Sequence, residues 1–146
     1  MRVAGMLLGL SCLIAAASGA NFAGTWKLNV AKSQGRPNVE SQVMKIEQTG
    51  PNMYRVTIDV ASKSGEKQHQ EINRVCDGKE YAPTGVNITQ GASEICEFLD
   101  ASTHKVTQKR NGKFFSEFTS TISPDGKVMT NNRTGNREET LIFERQ

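Results

Sequence analysis

The 146-residue chain has few of the residues from which catalytic and metal sites are usually built. It contains three cysteines and two histidines, His69 and His104, which do not form a His-x-x-x-His pair. A Gly-x-Ser-x-Gly string, a phosphate-binding loop and a carboxylate cluster are also absent from the sequence. These absences predict a protein that is not an enzyme, with no catalytic residue, no metal and no cofactor. Each histidine is predicted to be a solvated residue on a separate strand.

Charge is scarce at the start of the chain. Residues 1–20 carry one charged side chain, Arg2, and the apolar stretch Ala4–Ala17 is 14 residues long. That length suits the core of a signal peptide and is shorter than the roughly 20 residues that span a bilayer. Because small residues precede position 21, we predict cleavage after Ala20. An uncleaved anchor and lipoprotein processing at Cys12 are the alternatives.

The predicted mature domain, residues 21–146, has little net charge. It holds 17 Lys and Arg against 15 Asp and Glu. This excess of positive charge is too small for electrostatic binding to nucleic acid or to an anionic membrane. We therefore predict a periplasmic or secreted monomer that binds no nucleic acid and does not insert stably into a membrane.

Two cysteines, Cys76 and Cys96, remain after the leader. An even number in an exported chain predicts a disulfide, and two cysteines allow one pairing. The alternative is a pair of buried free thiols.

The mature domain is also poor in helix formers. It has 28 Val, Ile and Thr against 3 Leu and 6 Ala, a bias typical of β-strands. Apolar and polar residues alternate over Met53–Val60, and dipeptides such as Asp77-Gly78 and Asn111-Gly112 separate the runs. Strands are predicted at 22–30, 41–49, 53–62, 66–75, 79–82, 85–89, 94–100, 104–111, 113–123, 127–133 and 137–145.

Short connections make consecutive strands pair antiparallel. Because some of these segments could merge, we predict a meander of eight to ten strands. Closing the meander would remove its exposed edges. The predicted fold class is therefore all-β, a single closed or nearly closed antiparallel up-and-down barrel.

One local motif carries a family resemblance. Gly24-Thr25-Trp26-Lys27-Leu28-Asn29 follows the predicted leader, with Ala31-Lys32-Ser33 after it and Leu141-Ile142-Phe143-Glu144-Arg145 at the end of the chain. This pattern resembles the calycin superfamily, and within it the small exported lipocalin-like proteins of bacteria. The resemblance touches both ends of the mature chain and not its middle.

The resemblance implies that Arg145 stacks over Trp26 and closes the base of the barrel. Independently, the missing side chain of Gly24 is expected to let another backbone approach closely. The resemblance is looser toward fatty-acid-binding proteins. The Arg-x-Tyr pair that holds a carboxylate in that family is replaced here by Leu141 and Phe143. Any ligand is therefore expected to be held by apolar contact.

Parity with Trp26 and Leu28 predicts which side chains face the interior of the barrel. Gln68 and Gln70 lie on a strand that is polar on both faces, which indicates either an outer edge or a partly wet cavity. The predicted ligand-binding residues are Met44, Ile46, Tyr54, Val56, Ile58, Gln68, Gln70, Phe114 and Phe118.

The function predicted from the sequence is non-catalytic binding of a small, mostly apolar molecule inside the barrel. The alternative is an envelope interaction module, either an inhibitor or an accessory subunit, whose barrel is filled and holds no ligand.

Overall fold

The computed structural model describes residues 19–146, so most of the predicted leader, including Cys12, lies outside the described residues. A 3₁₀ turn at Gly19–Phe22 is followed by eleven strands, with a second 3₁₀ turn at Val30–Lys32. Strands β1 to β11 cover Gly24–Leu28, Val39–Gly50, Met53–Ser62, Lys67–Val75, Glu80–Tyr81, Thr84–Val86, Ala92–Asp100, Thr103–Arg110, Lys113–Ile122, Val128–Gly135 and Glu139–Arg145. In this part of the chain, no helix is long and apolar enough to cross a membrane.

The strands form one antiparallel sheet. Its order is β5-β7-β8-β9-β10-β11-β1-β2-β3-β4-β6, so the first strand pairs with both the second and the last. Nine of the eleven strands have five or more residues, and β5 and β6 are short. The structure confirms the predicted all-β antiparallel fold, and the curled sheet forms a nearly closed barrel. It has eleven strands rather than eight to ten, because the short β5 and β6 pair with β7 and β4 instead of continuing the meander.

The barrel has a seam between β4 and β7, the two long strands at the ends of the sheet order. Covalent and ionic links cross this seam. Cys76, directly after β4, forms a disulfide with Cys96 on β7 as predicted. Beside it, the guanidinium of Arg74 forms two hydrogen bonds to the carboxylate of Glu94, at 2.8 and 3.0 Å. In the chain-entropy model, a disulfide that closes a loop of about 20 residues stabilises the fold by about 3 kcal/mol.

The base of the barrel is closed by Trp26 and Arg145. The guanidinium carbon of Arg145 lies 4.1 Å from the centre of the Trp26 ring, which is fully buried. This confirms the stack implied by the family resemblance. The group that approaches Gly24 is this guanidinium rather than a backbone, since a Cβ at position 24 would lie 2.6 Å from Nη1 of Arg145.

Strand register arranges the interior of β7 to β11 in rows. The lowest row is apolar and contains Ile122, Met129 and Phe143, paired in succession across β9, β10 and β11. The row above it runs Phe98, His104, Ser120, Asn131 and Leu141, and the next runs Cys96, Val106, Phe118, Arg133 and Glu139. Successive rows are about 7 Å apart, because they are two residues apart along each strand.

Candidate functional site

The barrel encloses a cavity of about 660 Å³. One wall is formed by β2 and β3 and is largely apolar. The predicted binding residues Met44, Ile46, Tyr54, Val56, Ile58, Gln68, Gln70 and Phe118 all line the cavity. Of the two glutamines, Gln68 is exposed, and Gln70 is half-buried. Both glutamines lie on a stretch of β4 that pairs only with β3, so they line the cavity and also stand at an edge of the sheet.

Phe114 does not line the cavity, which corrects the sequence prediction. Its side chain is 59% exposed, and Phe115 lines the cavity instead. The cause is a β-bulge between β8 and β9: Lys109 pairs with Phe114 while Gln108 pairs with Ser116, so Phe115 is unpaired. A bulge interrupts the two-residue alternation. Parity counted back from Phe118 is therefore wrong at Phe114.

The rest of the cavity lining forms a second wall, which is strongly cationic. Of the described residues that line the cavity, Glu139 is the one acidic residue. The cationic lining residues are Arg36, Lys67, Arg74, Arg110, Arg133 and Arg137. The expectation of apolar contact alone therefore does not describe this wall.

Three of these arginines surround Glu139, and we call Arg36, Arg133, Arg137 and Glu139 the arginine cluster. The Glu139 side chain has no solvent exposure. Arg36 donates two hydrogen bonds to its carboxylate, at 2.7 and 3.1 Å. The Nε atoms of Arg133 and Arg137 lie 3.0 and 3.2 Å from its two oxygens. One carboxylate thus serves three guanidinium groups.

The charges of the cluster shift the pKa values of its members. Burial raises the pKa of Glu139, but the Arg36 hydrogen bond and the three guanidinium charges outweigh it, so the net shift is downward. Burial lowers the pKa of Arg133, and Glu139 opposes this effect. Glu139 is therefore ionised at neutral pH, and two of the three arginine charges have no carboxylate of their own within the cluster.

Only some of the hydrogen-bond donors of Arg133 have aligned acceptors among the described residues. Its Nη1 donates to Gln108 Oε1 at 2.9 Å and to Ser116 Oγ at 3.0 Å. Its Nε is buried, and the N–H makes no aligned hydrogen bond with any described residue, although Glu139 is close. The guanidinium also lies 5.1 Å from the centre of the Phe118 ring. A cation placed over a ring in this way forms a polar contact beside an apolar surface.

His104 lies one row below the arginine cluster and is 8% exposed. The prediction of a solvated histidine is therefore wrong for this residue. Its ring contacts Phe22, Phe98 and Phe118, with centroid distances of 4.6, 5.8 and 6.1 Å. Burial, together with the charge of Arg74, lowers the pKa of His104 to about 3. The imidazole is therefore neutral at physiological pH.

The buried imidazole predicts an acid-sensitive fold. An unfolded histidine binds a proton near pH 6.5, whereas native His104 does so near pH 3. The unfolded state therefore binds more protons as the pH falls below 6.5, and the free energy of unfolding should drop by about 2 kcal/mol between pH 7 and pH 5. Urea unfolding at both pH values measures this. His104→Gln should remove the drop in this window, which lies above the range where carboxyl groups titrate.

The matched control is His69→Gln. His69 is 44% exposed, and hydrogen bonds from its ring to Asp59 and Glu71 raise its pKa. Its titration therefore acts in the opposite direction, and this variant should retain the drop. An equal pH dependence in wild type and His104→Gln would contradict the assignment.

No local pattern in the sequence predicts the arginine cluster. Arg133 lies in a run, Thr130–Thr134, that is polar at every position, so alternation gives no inward face. Arg36 is in a loop, where alternation has no meaning. The available signal was the parity of β11, which places Glu139 on the same face as Leu141 and Phe143. An acidic residue on an apolar face indicates a cationic partner.

Comparisons with known proteins identify the fold. No model of a known protein family matches the chain, and no curated protein matches it. Among solved structures, the wild-type fluorescent protein UnaG aligns with a TM-score of 0.63 and 16% identity, covering 86% of this chain and 97% of that chain. A mutant of UnaG aligns with a TM-score of 0.64 and 16% identity, covering 86% and 96%. These alignments show that this chain shares the antiparallel β-barrel fold of those structures.

Proposed function

We propose that this protein is an exported, non-catalytic binding protein of the lipocalin-like kind, which holds one small molecule with an apolar body and an anionic group. The observation that carries the proposal is the cavity of about 660 Å³, whose lining combines an apolar wall with six cations and one carboxylate. Ligand pockets usually have volumes of about 300–1,000 Å³. The alignment with UnaG supports the barrel fold on which this proposal depends.

Each wall has its own role in this proposal. The side chains of β2 and β3 would cover the apolar body of the ligand, since Ile46 and Val56 are buried and Met44 and Ile58 pack against the same core. The arginine cluster would hold the anion, because its three guanidinium groups share one carboxylate and its excess charge is therefore positive. Charge-assisted hydrogen bonds from arginine to an anion are among the strongest in proteins.

The alternative function, an interaction module with a filled barrel, is not favoured. Its structural requirement was an interior without room for a ligand, and the interior contains a cavity. The exposed large apolar residues among the described positions each lie on a different strand, as Met53, Val86, Leu99 and Phe114 illustrate.

A matched pair of fluorescent probes tests the proposed function. 1-Anilinonaphthalene-8-sulfonate has an apolar body and an anionic sulfonate, and N-phenyl-1-naphthylamine has the same body without the sulfonate. The anionic probe should bind with an affinity at least about tenfold higher, a difference of about 1.4 kcal/mol. Fluorescence titration at low and high salt measures both affinities.

Variants on β2 locate the binding site. Met44 lines the cavity and its neighbour Lys45 is exposed. Met44→Trp should reduce the affinity for the anionic probe by about tenfold or more by filling the cavity, whereas Lys45→Trp should leave it unchanged. If neither probe bound, or if Met44→Trp left the affinity for the anionic probe unchanged, the proposed function would be refuted.

A further inference from the structure

A second polar group of side chains lies deeper in the cavity than the arginine cluster. His104, Ser120 and Asn131 are neighbours in one row across β8, β9 and β10, and we call them the neutral row. All three line the cavity, with exposed fractions of 8%, 1% and 9%. None of the three belongs to the set of ligand contacts predicted from the sequence.

The hydrogen bonding of the neutral row is incomplete. Asn131 Nδ2 donates to Ser120 Oγ at 3.0 Å. His104 Nδ1 is buried and has no hydrogen-bond partner within residues 19–146. A buried polar group without a partner costs about 1–3 kcal/mol. An apolar residue at position 104 would avoid this cost, so the imidazole is suited to a partner that the protein itself does not provide.

The surroundings of the row define the chemistry of that partner. Phe22, Phe98 and Phe118 enclose the His104 ring, and they leave apolar surface for a flat ligand. The neutral imidazole has one nitrogen that donates and one that accepts, and the Ser120 hydroxyl and Asn131 amide are likewise uncharged. The row therefore suits an uncharged hydrogen-bonding group rather than a second ion.

The spacing of the two polar regions limits the size of the ligand. Arg133 is two residues from Asn131 on β10, and His104 is two strands away on β8. These offsets correspond to about 7 Å along a strand and about 10 Å across strands. A body of two fused rings bridges such a span.

We propose that the neutral row is a second recognition subsite, which selects anionic ligands whose opposite end carries a hydroxyl or carbonyl group. This inference rests on the proposed function, because it assumes that the anion of the ligand lies at the arginine cluster. A ligand with a purely apolar end would leave the neutral row unpaired and would bind more weakly.

The test compares 6-hydroxy-2-naphthoate with 2-naphthoate by isothermal titration calorimetry on the wild-type protein. The two probes have the same anion and rings and differ by one hydroxyl. The hydroxylated probe should bind about tenfold more tightly, since the analogue leaves buried polar groups unpaired. Equal affinities would overturn the second subsite and leave the proposed function intact. If neither naphthoate bound and the sulfonated probe also failed, the proposed function itself would fail.

Two variants test whether the neutral row causes the preference for the hydroxylated probe. His104→Phe and Asn131→Leu should each reduce the tenfold preference to about twofold or less while 2-naphthoate still binds. The control is Thr121→Val, an exposed neighbour of Ser120 on β9, which should retain the full preference. Retention of the preference in both row variants would overturn the assignment.

A spectroscopic readout avoids reliance on variants that fail to fold. The ¹⁵N chemical shifts of the His104 ring report its tautomer and hydrogen bonding. 6-Hydroxy-2-naphthoate should shift the His104 Nδ1 resonance, and 2-naphthoate should shift it much less. An unshifted Nδ1 at saturation with the hydroxylated probe would contradict the inference.

Discussion

Glu139→Gln is expected to lower the free energy of unfolding by about 3–5 kcal/mol, the usual cost of leaving buried charge without its partner. The substitution preserves the shape of the side chain but removes the carboxylate that serves Arg36, Arg133 and Arg137. The side chains of Arg36 and Arg133 are 19% and 16% exposed, so water screens their repulsion poorly. Chemical denaturation monitored by Trp26 fluorescence measures the loss.

Glu138→Gln provides the matched control for this experiment. Glu138 is the exposed neighbour of Glu139 and makes none of the ion pairs described for the cluster. Its substitution should change stability by less than about 0.5 kcal/mol. Added salt should restore part of the loss in Glu139→Gln by screening the arginines. Similar stabilities of the two variants would show that the cluster is not a buried charge network.

Arg74→Met is expected to destabilise the barrel by about 3–5 kcal/mol, because it leaves the Glu94 carboxylate unpaired at the seam. The side chains of the pair are 7% and 5% exposed. The double variant Arg74→Met with Glu94→Leu should recover most of the loss, since apolar residues of similar volume often replace a buried ion pair without cost. Urea unfolding of both single variants and the double variant gives the coupling energy directly.

The exposed pair formed by Lys105 and Glu97 serves as the comparison. Its Nζ–Oε1 distance is 3.0 Å, and the two side chains are 31% and 38% exposed. Lys105→Met should cost less than about 1 kcal/mol, as exposed ion pairs usually do. If the double variant at the seam were as unstable as Arg74→Met alone, the loss would come from packing and not from the unpaired carboxylate.

Local pattern was sufficient for the apolar wall of the cavity. Met44, Ile46, Val56 and Ile58 lie on regular strands with an unbroken two-residue alternation, and each was assigned correctly to the interior. On β9 the same reasoning correctly placed Phe118 and misplaced Phe114, because a bulge between them changes the parity. No residue type in that segment indicates a bulge.

The polar wall was beyond local pattern for a different reason. Its polar groups come from distant parts of the chain, and their burial and ion pairing depend on which residues surround them in the fold. Arg36 and Glu139 are 103 positions apart and share a bidentate contact. The sequence predicts a solvated His104 because this histidine has no metal-binding or catalytic spacing, and only the surrounding phenylalanines make it a buried, neutral group.

The sequence by itself determined the strand content and the antiparallel pairing of consecutive strands, through residue bias and turn chemistry that are local. It also predicted the disulfide between Cys76 and Cys96 from the even number of cysteines in an exported chain, and a family resemblance implied the stack of Arg145 on Trp26. The tertiary structure decided that the interior is hollow, that its second wall is cationic and that a neutral row lies beneath. Cavity volume and net interior charge are sums over side chains that register brings together from many strands, and no segment of the chain contains them.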